Sequence, residues 1–169
     1  MTMKNTPIYV SHEEINQQQE IMEAFSHIAH RPQTYHIVTY GCQMNAHDSE
    51  KLAGILRGMG MSEVREREKA DFVLFNTCCI RDNAERRALG NVTWLKEIKK
   101  SRPGFLIGIC GCMIQQPHMA EKILKRYPFI DLAFGTHNLH HLPSLLYRVV
   151  LDSKRVVSVM EQQGIIAEG

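Results

Sequence analysis

Three of the five cysteines in this 169-residue chain stand at closely similar places in the sequence. Cys42 lies in Tyr40-Gly41-Cys42-Gln43-Met44-Asn45, Cys78 in Asn76-Thr77-Cys78-Cys79-Ile80-Arg81, and Cys112 in Cys110-Gly111-Cys112-Met113-Ile114-Gln115. Each follows an apolar, strand-like run and precedes a helix-like one, and 36 and 34 residues separate them in turn. A thiolate, not a thiol, ligates metal, and the partial positive charge at a helix N-terminus lowers the pKa of a nearby cysteine. The glycines at positions 41 and 111 let the backbone turn tightly beside a bulky inorganic group. A [4Fe–4S] cube normally takes four thiolates, so three would leave one iron open to a substrate or small ligand. Taken singly, each cysteine has a competing role as a small buried hydrophobe, and spacing alone does not choose between the two. Cys79 adjoins Cys78, so their side chains tend to diverge, and Cys110 closes an apolar strand. Both are assigned to structure.

The elements that must position these residues alternate along the chain. Ser11 with Glu14 reads as a capping box, and Ile15, Met22, Phe25 and Ile28 or Ala29 recur at helical spacing, which predicts an amphipathic helix over 11–30 that ends before Pro32. Tyr35 to Tyr40 is β-branched and aromatic, and Leu52, Ile55, Leu56 and Met59 then mark a helix closed by Gly60. A short strand is expected near Ser62 to Arg65, and Asp71 to Asn76 reads as a strand buried on both faces. A long helix over Asp82 to Ser101 carries Ala84, Ala88, Val92, Leu95 and Ile98 on one stripe, with Pro103-Gly104 as its stop. Strands at Phe105 to Cys110 and Ile130 to Phe134 alternate with helices around Met119 to Tyr127 and Leu139 to Val149, and Arg155 to Met160 adds an edge strand.

This alternation predicts right-handed βαβ units and a doubly wound α/β fold. Its sheet is mostly parallel with helices on both faces, flavodoxin-like or Rossmann-like, with an N-terminal helix added. In such sheets ligands bind outside the carboxyl ends of the strands, which is where the three cysteines would converge. The composition, 44% apolar and 22% charged with 11 Gly and 6 Pro, is that of an ordinary globular chain. A core of this size does not require disulfides. No signal-like start and no apolar stretch near ~18 residues is present, so the expected setting is cytoplasmic, with no membrane partner. The net charge of +2 says nothing about partners, but Arg81 to Arg102 holds seven basic and three acidic residues. Its local net of +4 could face nucleic-acid phosphates or simply form a solvated helix face.

Several ordered motifs together resemble a known family. Tyr40-Gly41-Cys42-Gln43-Met44-Asn45, Asn76-Thr77-Cys78 with Ile80-Arg81 and Asn83-Ala84-Glu85, Gly111-Cys112 with Gln115, and Phe134-Gly135-Thr136-His137-Asn138 are similar to the amino-terminal domain of the radical S-adenosylmethionine methylthiotransferases. Gln-Met-Asn after the first cysteine resembles the tRNA dimethylallyladenosine branch. The resemblance covers 35–169 and is silent on 1–34.

The resemblance implies a transferase that adds a methylthio group to dimethylallyladenosine beside the anticodon. It implies that Cys42, Cys78 and Cys112 hold a [4Fe–4S] cluster, with Gln43, Asn45, Asn76 and Arg81 around it or facing substrate. For Asn45 and Asn76, ordinary capping and turn hydrogen bonding is an equal expectation. A second [4Fe–4S] cluster and S-adenosylmethionine belong to a radical domain whose Cys-x-x-x-Cys-x-x-Cys motif is absent from this sequence, and tRNA is met by the full-length protein. Expected organisation is an extension over 1–34, the iron–sulfur domain over 35–160, and over 161–169 a linker toward the radical and RNA-binding domains of the same polypeptide. The alternative is a non-enzymatic flavodoxin-like interaction module with oxidised or unligated cysteines.

Overall fold

Where the sequence turns β-branched and aromatic the chain is extended, and where apolar residues recur every third or fourth position it is helical. The computed structural model of the chain describes residues 12–41, 43–77 and 82–158. In order these are α1 (His12–Ser26), β1 (Thr34–Thr39), α2 (Gln43–Gly58), β2 (Ser62–Glu63), β3 (Phe72–Thr77), α3 (Asp82–Ser101), β4 (Leu106–Gly111), α4 (Pro117–Arg126), β5 (Leu132–Phe134), α5 (Leu142–Asp152) and β6 (Val156–Ser158). Short 3-10 turns fill Arg67–Lys69, Cys112–Gln115 and Thr136–His141.

The strands form one sheet in the order β2-β1-β3-β4-β5-β6, and every neighbouring pair is parallel. This is the doubly wound α/β architecture expected, with a core on each side of the sheet. Tyr35, Phe72, Leu74, Cys110, Leu132, Phe134 and Val156 pack on one face with Phe25 of α1, Leu52 and Leu56 of α2, and Leu146 of α5. Val73, Phe75, Ile107, Ile109, Ala133 and Val157 pack on the other with Val92 and Leu95 of α3 and Ile123 of α4. The period-two alternation of a strand makes this split automatic once both faces are covered. All six residues of β3 are buried, as a central strand demands.

Two expectations are revised. The helix after β1 begins at Gln43, nine residues before the apolar stripe that announced it. Its first turns are anchored to the sheet by amide and hydroxyl groups, which hydrophobic periodicity does not register. The second revision concerns handedness. The chain moves from β1 to β2 toward one edge with α2 on the first face, and from β3 through β5 toward the other edge with α3 and α4 on the second. These units share one hand. The step from β5 to β6 continues toward that same edge, yet α5 lies on the first face, so this crossover has the opposite hand, against the general rule. Leu142, Leu145, Leu146, Val149 and Val150 of α5, packed with Phe25 and Met22 of α1, cover the part of the first face that α2 leaves bare. That burial outweighs the local twist preference.

Candidate functional site

The strand order reverses between β1 and β3: β1 leads outward to β2, while β3 leads to β4 on its other side. The connections that leave their carboxyl ends therefore run to opposite faces of the sheet, which makes this the topological switch point, the place where ligands bind in such folds. Strand register aligns Thr39 with Asn76, Asn76 with Cys110, and Thr77 with Gly111. Cys78 follows Thr77 in sequence and Cys112 follows Gly111, so the two cysteine positions come one residue after a registered pair. Cys42, Cys78, Cys79 and Arg81 lie outside the described residues. Cys112 is described: it is half-buried and opens the 3-10 turn that leaves β4.

A polar network ties these strand ends together. Tyr40 donates its backbone N–H to the Asn76 carbonyl at 2.8 Å, extending the β1–β3 ladder by one residue. Gly41 then adopts φ 111°, a left-handed value that favours glycine, and the chain turns toward α2. From α2, Asn45 donates its side-chain amide to the Thr77 carbonyl at 3.1 Å. Asn76 answers from β3, donating to the Asn45 carbonyl at 2.9 Å and to Ser49 Oγ at 3.0 Å. Ser49 Oγ also meets Thr39 Oγ1 at 2.7 Å, so α2 is fastened to both β1 and β3. Asn76 is fully buried and Asn45 only 6% exposed, so each depends on these partners for the hydrogen bonds that water would otherwise supply.

Thr77 is the crossing point. Its hydroxyl donates to the Cys110 carbonyl at 2.7 Å, and its own carbonyl lies 3.9 Å from the Cys112 sulfur, within reach of a weak S–H donor. Gly111 makes this approach possible. At φ 113° it bears no side chain, and a Cβ there would stand 2.1 Å from the Thr77 oxygen.

The anticipated residues that are described are Gln43, Asn45, Asn76, Cys110 and Cys112. Asn45 and Asn76 bond to backbone and hydroxyl groups 27 to 32 residues away, joining α2 to β3, rather than making the local capping and turn bonds that were the equal expectation. Gln43 begins α2 and is exposed. Cys110 is fully buried in the first core, its thiol 3.9 Å from Asn76 Oδ1. Burial first, and then the Asp48 charge, push its pKa well above the ordinary thiol value, so it stays a neutral thiol. Sequence reasoning did not single out Thr77 or Ser49. Ser49 lies one helical turn after Asn45, but only the strand register reveals what the pair reaches.

The opposite edge of the sheet is built from charges. Asp71 accepts the backbone N–H groups of Gln33 and Thr34 and pairs with Arg102, Asp131 accepts from Ile107 N–H and pairs with Lys99, and Arg155 donates to the carbonyls of Ile123, Leu124, Tyr127 and Ile130. Two clefts of about 300 Å³ each lie there, lined among others by His30, Pro103 and Gly104. Their charged groups hold strand ends and helix ends in place, and the turn that carries Cys112 is at the far edge. No helix among the described residues is long and apolar enough to cross a membrane.

Comparison with known proteins gives a consistent set. A family model described as Uncharacterized protein family UPF0004 matches residues 34–135. The tRNA-2-methylthio-N(6)-dimethylallyladenosine synthase of Caldicellulosiruptor saccharolyticus is 51% identical over 136 residues, 80% of this chain and 29% of that protein. The synthase of the same description from Acetivibrio thermocellus is 44% identical over 168 residues, 95% of this chain and 35% of that protein. That of Clostridium perfringens strain SM101 is 47% identical over 133 residues, 79% and 30% respectively. The chain spans about a third of the length of the curated relatives it matches.

Proposed function

Because this chain belongs to the family described as Uncharacterized protein family UPF0004, we propose that it is the amino-terminal, sulfur-handling domain of a tRNA methylthiotransferase acting on dimethylallyladenosine. The names of relatives 44–51% identical to it support the reaction, and the position of Cys112 at the carboxyl end of β4, beside the topological switch point, supports the site. In this reading Cys42, Cys78 and Cys112 hold a [4Fe–4S] cluster. The observation that carries the assignment is the register of Thr77 with Gly111, each immediately preceding one of these cysteines at the carboxyl ends of adjacent strands.

The surroundings fit such a group. Cys112 leaves β4 through a glycine that admits no side chain, and its sulfur lies 3.9 Å from the Thr77 carbonyl oxygen. When bound, a cluster with three protein thiolates supplies one iron whose remaining position is open to a sulfur ligand. The protein's part is to hold the thiolates at fixed separations. Asn45, Asn76, Ser49 and Thr77 do this by locking α2, β1, β3 and β4 to one another next to the cysteine turns. Cys110, a buried neutral thiol, stays out of the ligand set. Gln43 and Arg81 are the positions from which substrate would be met.

The remaining two thirds of the polypeptide would contribute the radical-generating half, with S-adenosylmethionine and a second [4Fe–4S] cluster, and an RNA-binding domain. The setting is the reducing cytosol, where thiolates persist.

Anaerobic reconstitution tests the site. Iron and sulfide should each bind at about four per chain, and Cys42→Ala, Cys78→Ala or Cys112→Ala should each abolish the cluster. Full occupancy in Cys112→Ala with loss in Cys110→Ala would overturn the ligand assignment, and no binding in the parent chain would favour a non-enzymatic interaction module.

A further inference from the structure

The outward face of α3 joins three features that packing does not explain. Trp94 is 56% exposed, and it is the chain's single tryptophan. Arg86 and Arg87, two turns earlier, are exposed as well, while further along Lys96 lies over the Phe129 ring and Lys100 pairs with Glu97. Gly90 lies between them, four residues after Arg86 and four before Trp94, so these side chains border it on one helix face. Glycine in a helix interior lowers helix stability relative to alanine. Nothing inside the protein asks for it, because a Cβ at Gly90 would have no atom within 4 Å. The missing side chain leaves a notch in the row of side chains, between Trp94 one turn later and Arg86 and Arg87 one turn earlier.

We infer that this face of α3 is a docking surface for single-stranded RNA, with a base stacked on Trp94 across the Gly90 notch and the adjoining phosphates paired with Arg86 and Arg87. An exposed aromatic ring amid cations is the arrangement that binds single strands, since every base offers a π-face and the backbone supplies the negative charge. An interdomain contact would want more apolar area: the other exposed large hydrophobic residues among those described, Ile15 and Leu151, lie on α1 and α5. Over the eight residues from Arg86 to Trp94 the helix rises about 12 Å, which spans more than one nucleotide. The inference rests on the tRNA reading for why RNA should meet this domain.

Trp94 is its own reporter. Titrating the chain with a single-stranded RNA of about ten nucleotides should quench Trp94 emission saturably, while inorganic polyphosphate should leave it unchanged. With labelled RNA followed by anisotropy, Trp94→Ala should weaken binding about tenfold. Arg86→Ala and Arg87→Ala should each lower the slope of log affinity against log salt by about 0.7. Gly90→Gln separates ligand from fold: as a better helix former it should raise Tm by about 2–4 °C, yet by filling the notch it should reduce affinity at least fivefold. Unchanged Trp94 emission on RNA addition, unchanged affinity in Trp94→Ala, or protection of Trp94 by the remaining domains in place of RNA would each overturn the proposal. Iron and sulfide content is read without RNA and Trp94 quenching without the cluster, so failure here and failure of the proposed function are distinguishable.

Discussion

Asn76 shows how much one side chain at the switch point carries. Its amide nitrogen donates to both the Asn45 carbonyl and Ser49 Oγ, and its carbonyl oxygen faces the Cys110 thiol. Replacing it with leucine, close in volume, removes both donors while their acceptors stay in place. A buried acceptor left without a partner costs about 1–3 kcal/mol, so Asn76→Leu should lower unfolding stability by about 2–4 kcal/mol in a denaturant titration. Thr77→Val should cost about 1–2 kcal/mol through the lost bond to the Cys110 carbonyl. Gln43→Ala, at an exposed position, should stay within about 0.5 kcal/mol. If Gln43 meets substrate, its loss should appear only in the activity of the full-length enzyme. Gln43 and Asn76 thus differ in what their loss costs the fold, and burial is what separates them.

Between elements, the tightest constraint is the approach of β4 to β3 at Gly111. A methyl group there would collide with the Thr77 oxygen in a backbone conformation already disfavoured for side chains. Gly111→Ala should therefore cost about 3 kcal/mol or more and push the Cys112 turn away from β3. In a reconstitution assay it should lower iron and sulfide content with every cysteine still present, whereas Gly54→Ala, on α2 where a Cβ meets nothing within 4 Å, should not. The helices raise a different issue. α5 covers the first sheet face by a crossover of unusual hand, and it can do so because Phe25 of α1 is fully buried against the same core. Truncating that ring in Phe25→Ala should cost about 3–5 kcal/mol, visible as a fall in Tm, although Phe25 lies in the segment on which the family resemblance is silent.

For the whole molecule, the two edges of the sheet are built for different work. Charged side chains brace the amino-terminal edge, where Lys99 meets Asp131 and Arg102 meets Asp71. Neutral amides and hydroxyls brace the carboxyl-terminal edge described around Cys112, where Asn45, Asn76, Ser49 and Thr77 make the bonds between elements. Since the chain spans about a third of its relatives' length, the reaction proposed here needs parts beyond it. Mixed with tRNA, S-adenosylmethionine and reductant, this chain alone should yield no methylthiolated adenosine by nucleoside mass spectrometry. Product from the isolated chain would show the radical-generating half to be dispensable and would sink the division of labour proposed above.

What the sequence determined by itself was the alternation of strands and helices, because period-two and period-3.6 patterning is local and survives in every residue's choice of inside or outside. It also determined that Cys112 stands at a turn leaving a strand while Cys110 ends in the core. Strand order, the register of Thr77 with Gly111, the early start of α2 and the hand of the last crossover were decided only by tertiary structure. Each depends on groups far apart in the chain, such as the Asn45 amide finding the Thr77 carbonyl 32 residues away. Polar networks of this kind leave no periodic trace: one hydrogen bond fixes a position as firmly as a hydrophobic stripe, and its partner is chosen by the fold.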